Sequence, residues 1–146
     1  MIALLCAMLS MPITKKYPAT FKGCYDGDTC TFDLVLGNEE IDLGLGIVEQ
    51  RITIRKDQKI RLCDINAPEL KPPNAAATKA RDDLVSWISA AKTLSLRVPQ
   101  KKTCIDSSCD QFEKYGRLLG YIFADDVNLN QKQLAVGNAV SFIQCE

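Results

Sequence analysis

The runs PATFKGCY and TCTFDLVL flank Asp26-Gly27-Asp28, and both alternate β-branched or aromatic residues with polar ones. Asp-Gly between two runs of that period is a strong hairpin signal, so the chain is committed early to antiparallel sheet. Cys24 and Cys30 stand symmetrically about the turn. In a hairpin they face each other across the two arms, within reach of a bridge. Asp26 and Asp28 are two residues apart, so in an extended arm both project to one face. Asp26 is accounted for by turn chemistry, as an acid that caps its own turn. Asp28, one residue past the glycine, is explained less well in that way.

Further strands follow. GNEEIDLGLGIVEQ is rich in glycine and reads as a longer loop or a second hairpin. RITIRKDQKIRLCDI carries Ile52, Ile54, Ile60 and Leu62 at strand spacing, with KDQK as a break. NAPELKPPN is a loop punctuated by three prolines. From Ala75 to about Lys92 the period becomes helical, with Leu84, Trp87, Ile88 and Ala91 on one side and Asn74 as N-cap. TLSLRVP and RLLGYIFA read as strands. NLNQKQLAVGNA reads as a short helix with Leu129, Leu134 and Ala135 inward, ended by Gly137. Early strands with helices inserted late indicate an α+β fold, and this order suits a five-stranded Greek-key barrel of the OB type with two to three packed helices.

The chain of 146 residues fits one domain. It has 18 basic and 18 acidic residues, so bulk charge does not draw it to nucleic acid and any such binding needs a local cluster. It has no histidine. Ser-His-Asp triads, Cys-His dyads and His-based zinc sites are excluded, which leaves carboxylates, Arg, Lys, Tyr, Cys or a metal held by oxygens. The apolar segment 1–14 reads either as an export signal or as a plain N-terminal strand or tail, and it is too short to span a membrane. Apart from Cys6, six cysteines remain, with no C-x-x-C pair. They are either disulfides, which would favour a secreted or periplasmic setting over a cytoplasmic one, or small buried thiols. Cys104 and Cys109 close a short polar loop.

Two other stretches carry side chains suited to anion chemistry. In IRLCDINAPEL, Arg61 points away from its apolar neighbours Ile60 and Leu62, while Pro68 holds Ala67 extended and fixes its carbonyl. Asn66 and Glu69 bracket that rigid turn and offer oxygens. In EKYGRLLGY, Gly116 permits a sharp turn before Arg117, whose planar guanidinium can clamp a phosphate through two parallel hydrogen bonds. Each residue alone has a bland account as a solvated strand or loop charge.

Together YDGDT, IRLCDINAPEL and EKYGRLLGY, with VNLNQKQLAVGNA after them, resemble the staphylococcal nuclease family in order and spacing, from about Tyr17 to Phe142. The resemblance implies an OB-type nuclease domain over 15–146 that hydrolyses DNA or RNA phosphodiesters with Ca²⁺, Mg²⁺ or another divalent ion being possible. It assigns Asp28, Asn66 and the Ala67 carbonyl to the metal. It assigns Arg61, Glu69 and Arg117 to catalysis, and Lys114 and Tyr115 to substrate contact. A monomer without a membrane span is expected.

Two positions depart from the family pattern. Asn66 stands where the family usually has a second aspartate, which lowers the charge offered to a cation. The C-terminal stretch SFIQCE lacks the tyrosine that the family places beside the nucleotide. The alternative function is a non-catalytic nucleic-acid-binding or interaction module on the same barrel.

Overall fold

A computed structural model describes residues 13–100 and 109–145. The elements are β1 (Thr14–Asp26), β2 (Thr29–Gly44), β3 (Ile47–Leu62), β4 (Ile65–Asn66), α1 (Ala75–Ala90), β5 (Leu94–Pro99), β6 (Leu118–Ala124), β7 (Val127–Asn128), α2 (Leu129–Ala135) and β8 (Val140–Ser141). Strands β1, β2 and β3 form an antiparallel meander, β1 pairs with β5, and β5 with β6. The ring closes where β3 meets β6 in parallel through Ile60↔Leu118, Arg61↔Leu119 and Leu62↔Gly120. This five-strand ring and its two helices are the α+β, OB-type architecture read from the sequence.

Alternation explains the ring's interior. Phe32 and Leu34 from β2, Ile60 and Leu62 from β3, Leu96 and Val98 from β5, and Leu118 and Ile122 from β6 are all buried in one core. Their polar neighbours in sequence point outward, as a two-residue period requires. Helix α1 covers one end with Ala77, Ala80, Leu84 and Ile88, spaced by three and four residues. Asn74 caps it, with its Oδ1 accepting the Ala77 N–H at 2.8 Å.

Two expectations need correction, and one open alternative is decided. KDQK does not break the strand: β3 runs through it, and the ladder takes up one extra residue between Phe32↔Gln58 and Leu34↔Arg55. Asp57 sits in this bulge at φ 53°, and its N–H donates to Asp33 Oδ1 at 2.9 Å. For the glycine-rich segment the hairpin alternative holds: it is the far end of a hairpin with two 16-residue strands. It turns at Leu45 and Gly46, both with positive φ, the twist that suits a two-residue connection. In α2, Ala135 is exposed and Leu134 only partly buried, whereas Asn130 and Gln133 are buried with Leu129.

Those two polar residues are ties. Asn130 donates to the Cys63 and Gly120 carbonyls and accepts the Ile122 N–H. Gln133 donates to the Gly27 and Ala80 carbonyls, each at 2.9 Å. The helix ends as the sequence indicates, with Gly137 at φ 80°. The Gly137 N–H reaches the Leu134 carbonyl and the Asn138 N–H reaches the Gln133 carbonyl, a Schellman motif.

Cysteines staple the frame. Cys24–Cys30 bridges opposed residues of β1 and β2, and Cys63–Cys145 ties the C-terminal segment to the end of β3. Cys109 is also disulfide-bonded. Cys104, Cys6 and residues 1–12 lie outside the described residues. The Cys63–Cys145 link spans 82 residues, and a loop that long restricts the unfolded chain strongly. Replacing both cysteines by alanine is expected to lower unfolding free energy by roughly 3–5 kcal/mol in a urea titration; a loss under about 1 kcal/mol would mean the bridge is not closed in solution.

Candidate functional site

The turn between β1 and β2 sets the first part of the site. The Asp28 N–H donates to Asp26 Oδ1 at 3.1 Å, which is the turn role expected of Asp26. Yet Asp26 is also buried and lines the cleft described below. Burial first, then the hydrogen bond and repulsion from Asp28, push its carboxyl up to about 6. Gly27 is needed for a reason other than φ. A Cβ there would meet the Ala80 and Ala67 Cβ atoms at 2.7 and 2.8 Å, so only glycine lets the turn lie against α1 and the β4–α1 loop. Gln133 holds the Gly27 carbonyl from the other side.

Asp28 then reaches across the ring. Its Oδ2 accepts the Ala67 N–H at 2.8 Å and lies 3.5 Å from Arg61 Nη1, and its backbone carbonyl accepts the Leu62 N–H. Arg61 points out of the core, as the alternation requires, and is buried all the same. Its Nη1 donates to the Leu62 carbonyl at 2.8 Å, and its Nη2 donates to Asn66 Oδ1. One guanidinium therefore joins the Asp28 carboxylate to the Asn66 amide.

Arg117 enters from the turn before β6. The Glu113 carboxylate organises that turn: Oε1 accepts the Tyr115 and Arg117 N–H groups at 2.9 and 3.0 Å, while Gly116 takes φ 81°. The same carboxylate holds the Arg117 guanidinium, with Nε to Oε1 and Nη2 to Oε2 both at 3.2 Å. Burial pushes the Glu113 carboxyl up, but the hydrogen bonds and charge of Arg117 outweigh it and leave it below the usual range. Glu113 raises the Arg117 pKa in return, so the cation is permanent. Thr29 joins the two halves: its hydroxyl donates to Asp28 Oδ1 at 3.2 Å and accepts from Arg117 Nη1 at 3.1 Å.

Glu69 completes the set from the loop after β4. Asn74, beyond capping α1, donates to the Glu69 and Pro72 carbonyls and so ties this loop to the helix. Among the described residues the Glu69 carboxylate has no hydrogen bond or ion pair. Asp26, Asp28, Arg61, Asn66, Ala67, Glu69 and Arg117 line one cleft of about 370 Å³. Lys114 and Tyr115 do not line it. They stand on the turn that carries Arg117, with Lys114 Nζ 5.0 Å and the Arg117 guanidinium 6.0 Å from the exposed Tyr115 ring.

The sequence reading did not single out Thr29 or Glu113, and it gave Asp26 to the turn alone. Glu113 had a visible signal, an acid four residues before an arginine. Thr29 had none, because its partner is 88 residues away.

Three segments far apart in the chain thus converge on one acid-and-arginine cleft. The model of the staphylococcal nuclease homologue family matches residues 59–146. The chain belongs to that family. The matched span holds Arg61, Asn66, Glu69 and Arg117, while Asp26 and Asp28 come from the strands before it. No curated protein matches the chain.

The family typically uses Ca²⁺. Every donor on the acidic wall of this cleft is a hard oxygen, which suits calcium or magnesium over softer metals. Among the described residues no three acidic or cysteine side chains group into a metal centre. A cation here would draw on the Asp28 carboxylate, the Asn66 amide and backbone oxygen, the first two now joined by Arg61. The donor types fit a divalent ion, with less charge than two carboxylates would give.

Gly27→Ala is expected to cost about 1–3 kcal/mol in thermal or urea unfolding, from overpacking against Ala67 and Ala80. Gly37→Ala, where an added Cβ meets nothing within 4 Å, is the control and should change stability by under about 1 kcal/mol. Equal effects at the two positions would refute the close-approach account.

Proposed function

We propose that this chain is a metal-dependent nuclease that hydrolyses phosphodiester bonds of DNA, RNA or both. The observation that carries the reading is the single cleft that gathers Arg61, Arg117 and Glu69 beside the Asp28 carboxylate. A phosphodiester under attack by water gains charge on its non-bridging oxygens, and fixed cations already in place lower that barrier. Arg117 is held rigid by Glu113 and Thr29, so it meets the ester without a reorganisation cost. Arg61 lines the same cleft and binds the same anion through donors not spent on Leu62 and Asn66. Glu69, with no partner of its own, takes a proton from the attacking water or orients that water. Lys114 and Tyr115, on the turn that carries Arg117, are the proposed substrate contacts.

Asp28, Asn66 and the Ala67 carbonyl are the proposed calcium ligands. A calcium ion held there would supply further fixed positive charge beside the ester oxygens. Asp28 has a second task that needs no metal. By holding the Ala67 N–H it fixes the loop that aims Glu69.

One observation favours the binding-module reading. Arg61 is buried and engaged with Asp28 and Asn66, which already compensates charge at the cleft. On that reading the cleft holds a nucleic-acid phosphate without cutting it.

Plasmid and single-stranded DNA, incubated with Ca²⁺, with Mg²⁺ and with chelator, separate the two. Cleavage is expected only with a divalent ion, and Glu69→Gln is expected to slow it by about 10²-fold or more. A shift of the DNA without cleavage under every condition would replace the nuclease with the module. In calorimetry Asn66→Asp is expected to tighten Ca²⁺ binding by roughly tenfold, from the added ligand charge. Unchanged affinity would remove Asn66 from the ligand set.

A further inference from the structure

The far end of the β2–β3 hairpin leaves the ring. From Gly37 to Ile54 nearly every residue is exposed, and the ribbon extends roughly 30 Å at about 3.3 Å per residue. A two-stranded ribbon alone is marginal in water. This one also shows apolar side chains: Val48, Ile52 and Ile54 are each at least half exposed, and Leu45 at the tip is fully exposed. Val48, Ile52 and Ile54 share one face because they alternate with Glu49, Arg51 and Thr53.

Both edges of the ribbon are open. Beyond Leu34, β2 has no neighbour but β3, and β3 pairs with β6 only from Ile60 onward, among the described residues. The edges differ in charge. The β2 edge carries Glu39, Glu40 and Asp42 within four residues and repels another acidic strand. The β3 edge, Ile47–Arg55, has mixed charge and apolar character.

We infer that the β3 edge is a self-association surface, on which a second copy of this chain adds its own β3 antiparallel about Gln50. Two-fold pairing must place some residue opposite itself. Centring on Glu49 or Arg51 sets like charges face to face, which is destabilising. Centring on Gln50 sets Glu49 opposite Arg51 twice and Val48 opposite Ile52 twice. One face then carries the ion pairs, and on the other Val48 meets Ile52 on each side of a central Gln50 pair, apolar contacts confined to the two β3 strands, since their β2 neighbours are Asp42, Glu40 and Asn38. The same register brings Leu45 of each copy opposite Arg55 of the other, whose guanidinium lies 5.8 Å from the half-exposed Phe112 ring. The tip thereby gains an apolar seat. Centring on Ile52 also pairs Glu49 with Arg55, but it sets Gln50 against Ile54 and Val48 against Lys56, so the Val48–Ile52 apolar pairs are lost. A nucleic acid or an anionic lipid surface is the wrong occupant, because residues 37–54 hold four carboxylates against one guanidinium.

The test uses the full chain. Sedimentation across a concentration series should show a monomer–dimer equilibrium, and Ile52→Lys should weaken it by about tenfold or more without changing Tm, since Ile52 is exposed. Under mild oxidation Gln50→Cys should give a covalent dimer, because the two engineered thiols face each other. Arg51→Cys should give little, its counterpart lying two residues out of register. Three results overturn the inference: a monomer at every concentration, equal cross-linking at both positions, or a dimer untouched by Ile52→Lys. A monomer that instead binds zwitterionic vesicles through Leu45 would reassign the ribbon to a lipid surface. None of these outcomes depends on nuclease activity.

Discussion

Three parallel residue pairs between β3 and β6 close the ring, and most of what the molecule offers depends on them. Without Ile60↔Leu118, Arg61↔Leu119 and Leu62↔Gly120 the meander would be an open sheet with an exposed core. The closure is short, and it is reinforced from outside. Asn130 bonds the Gly120 and Cys63 carbonyls together, and the Cys63 N–H reaches the Gly120 carbonyl. The closure also brings Arg61 into the neighbourhood of Arg117, two cations that share a cleft only because acids accompany each of them. Asp28 stands by Arg61, and Glu113 by Arg117.

Charge in the cleft is arranged in linked pairs rather than as a free field. Thr29 passes one hydrogen bond from the Arg117 side to the Asp28 side, so the two arginines belong to one network. Asn66 matters in that network. A neutral amide accepts from Arg61, where a carboxylate would bind it more strongly and offer a cation more charge. Glu69 stands apart, exposed and unpaired among the described residues, the state that suits a group whose work is with water.

Much of this was legible in the residues. The hairpin at Asp26-Gly27-Asp28, the facing cysteines, the Asn74 cap, the Gly137 stop and the strands Leu94–Pro99 and Leu118–Ala124 all announce themselves through local chemistry. The errors have a common origin. KDQK looked like a break because four polar residues interrupt the apolar alternation, but a bulge absorbs such a run when a partner strand is present. Ala135 looked inward because it is apolar, whereas α2 buries Asn130 and Gln133 to satisfy carbonyls supplied by other elements. The long hairpin is no error but an open alternative: its residues admit both loop and hairpin, because its pairing is internal to the ribbon and buries no core.

What the sequence determined by itself is the set of local commitments: turn, cap, period, the absence of histidine, and the carboxylates, amide and arginines available for chemistry. These follow from backbone sterics and side-chain type, which act over a few residues. The tertiary structure alone decided which of those groups meet. Thr29 finds Arg117, Gln133 finds Gly27, and Cys63 finds Cys145 only after the ring has closed. Contacts across such separations leave no periodic trace in a single chain, because their geometry is set by the packing of the whole core.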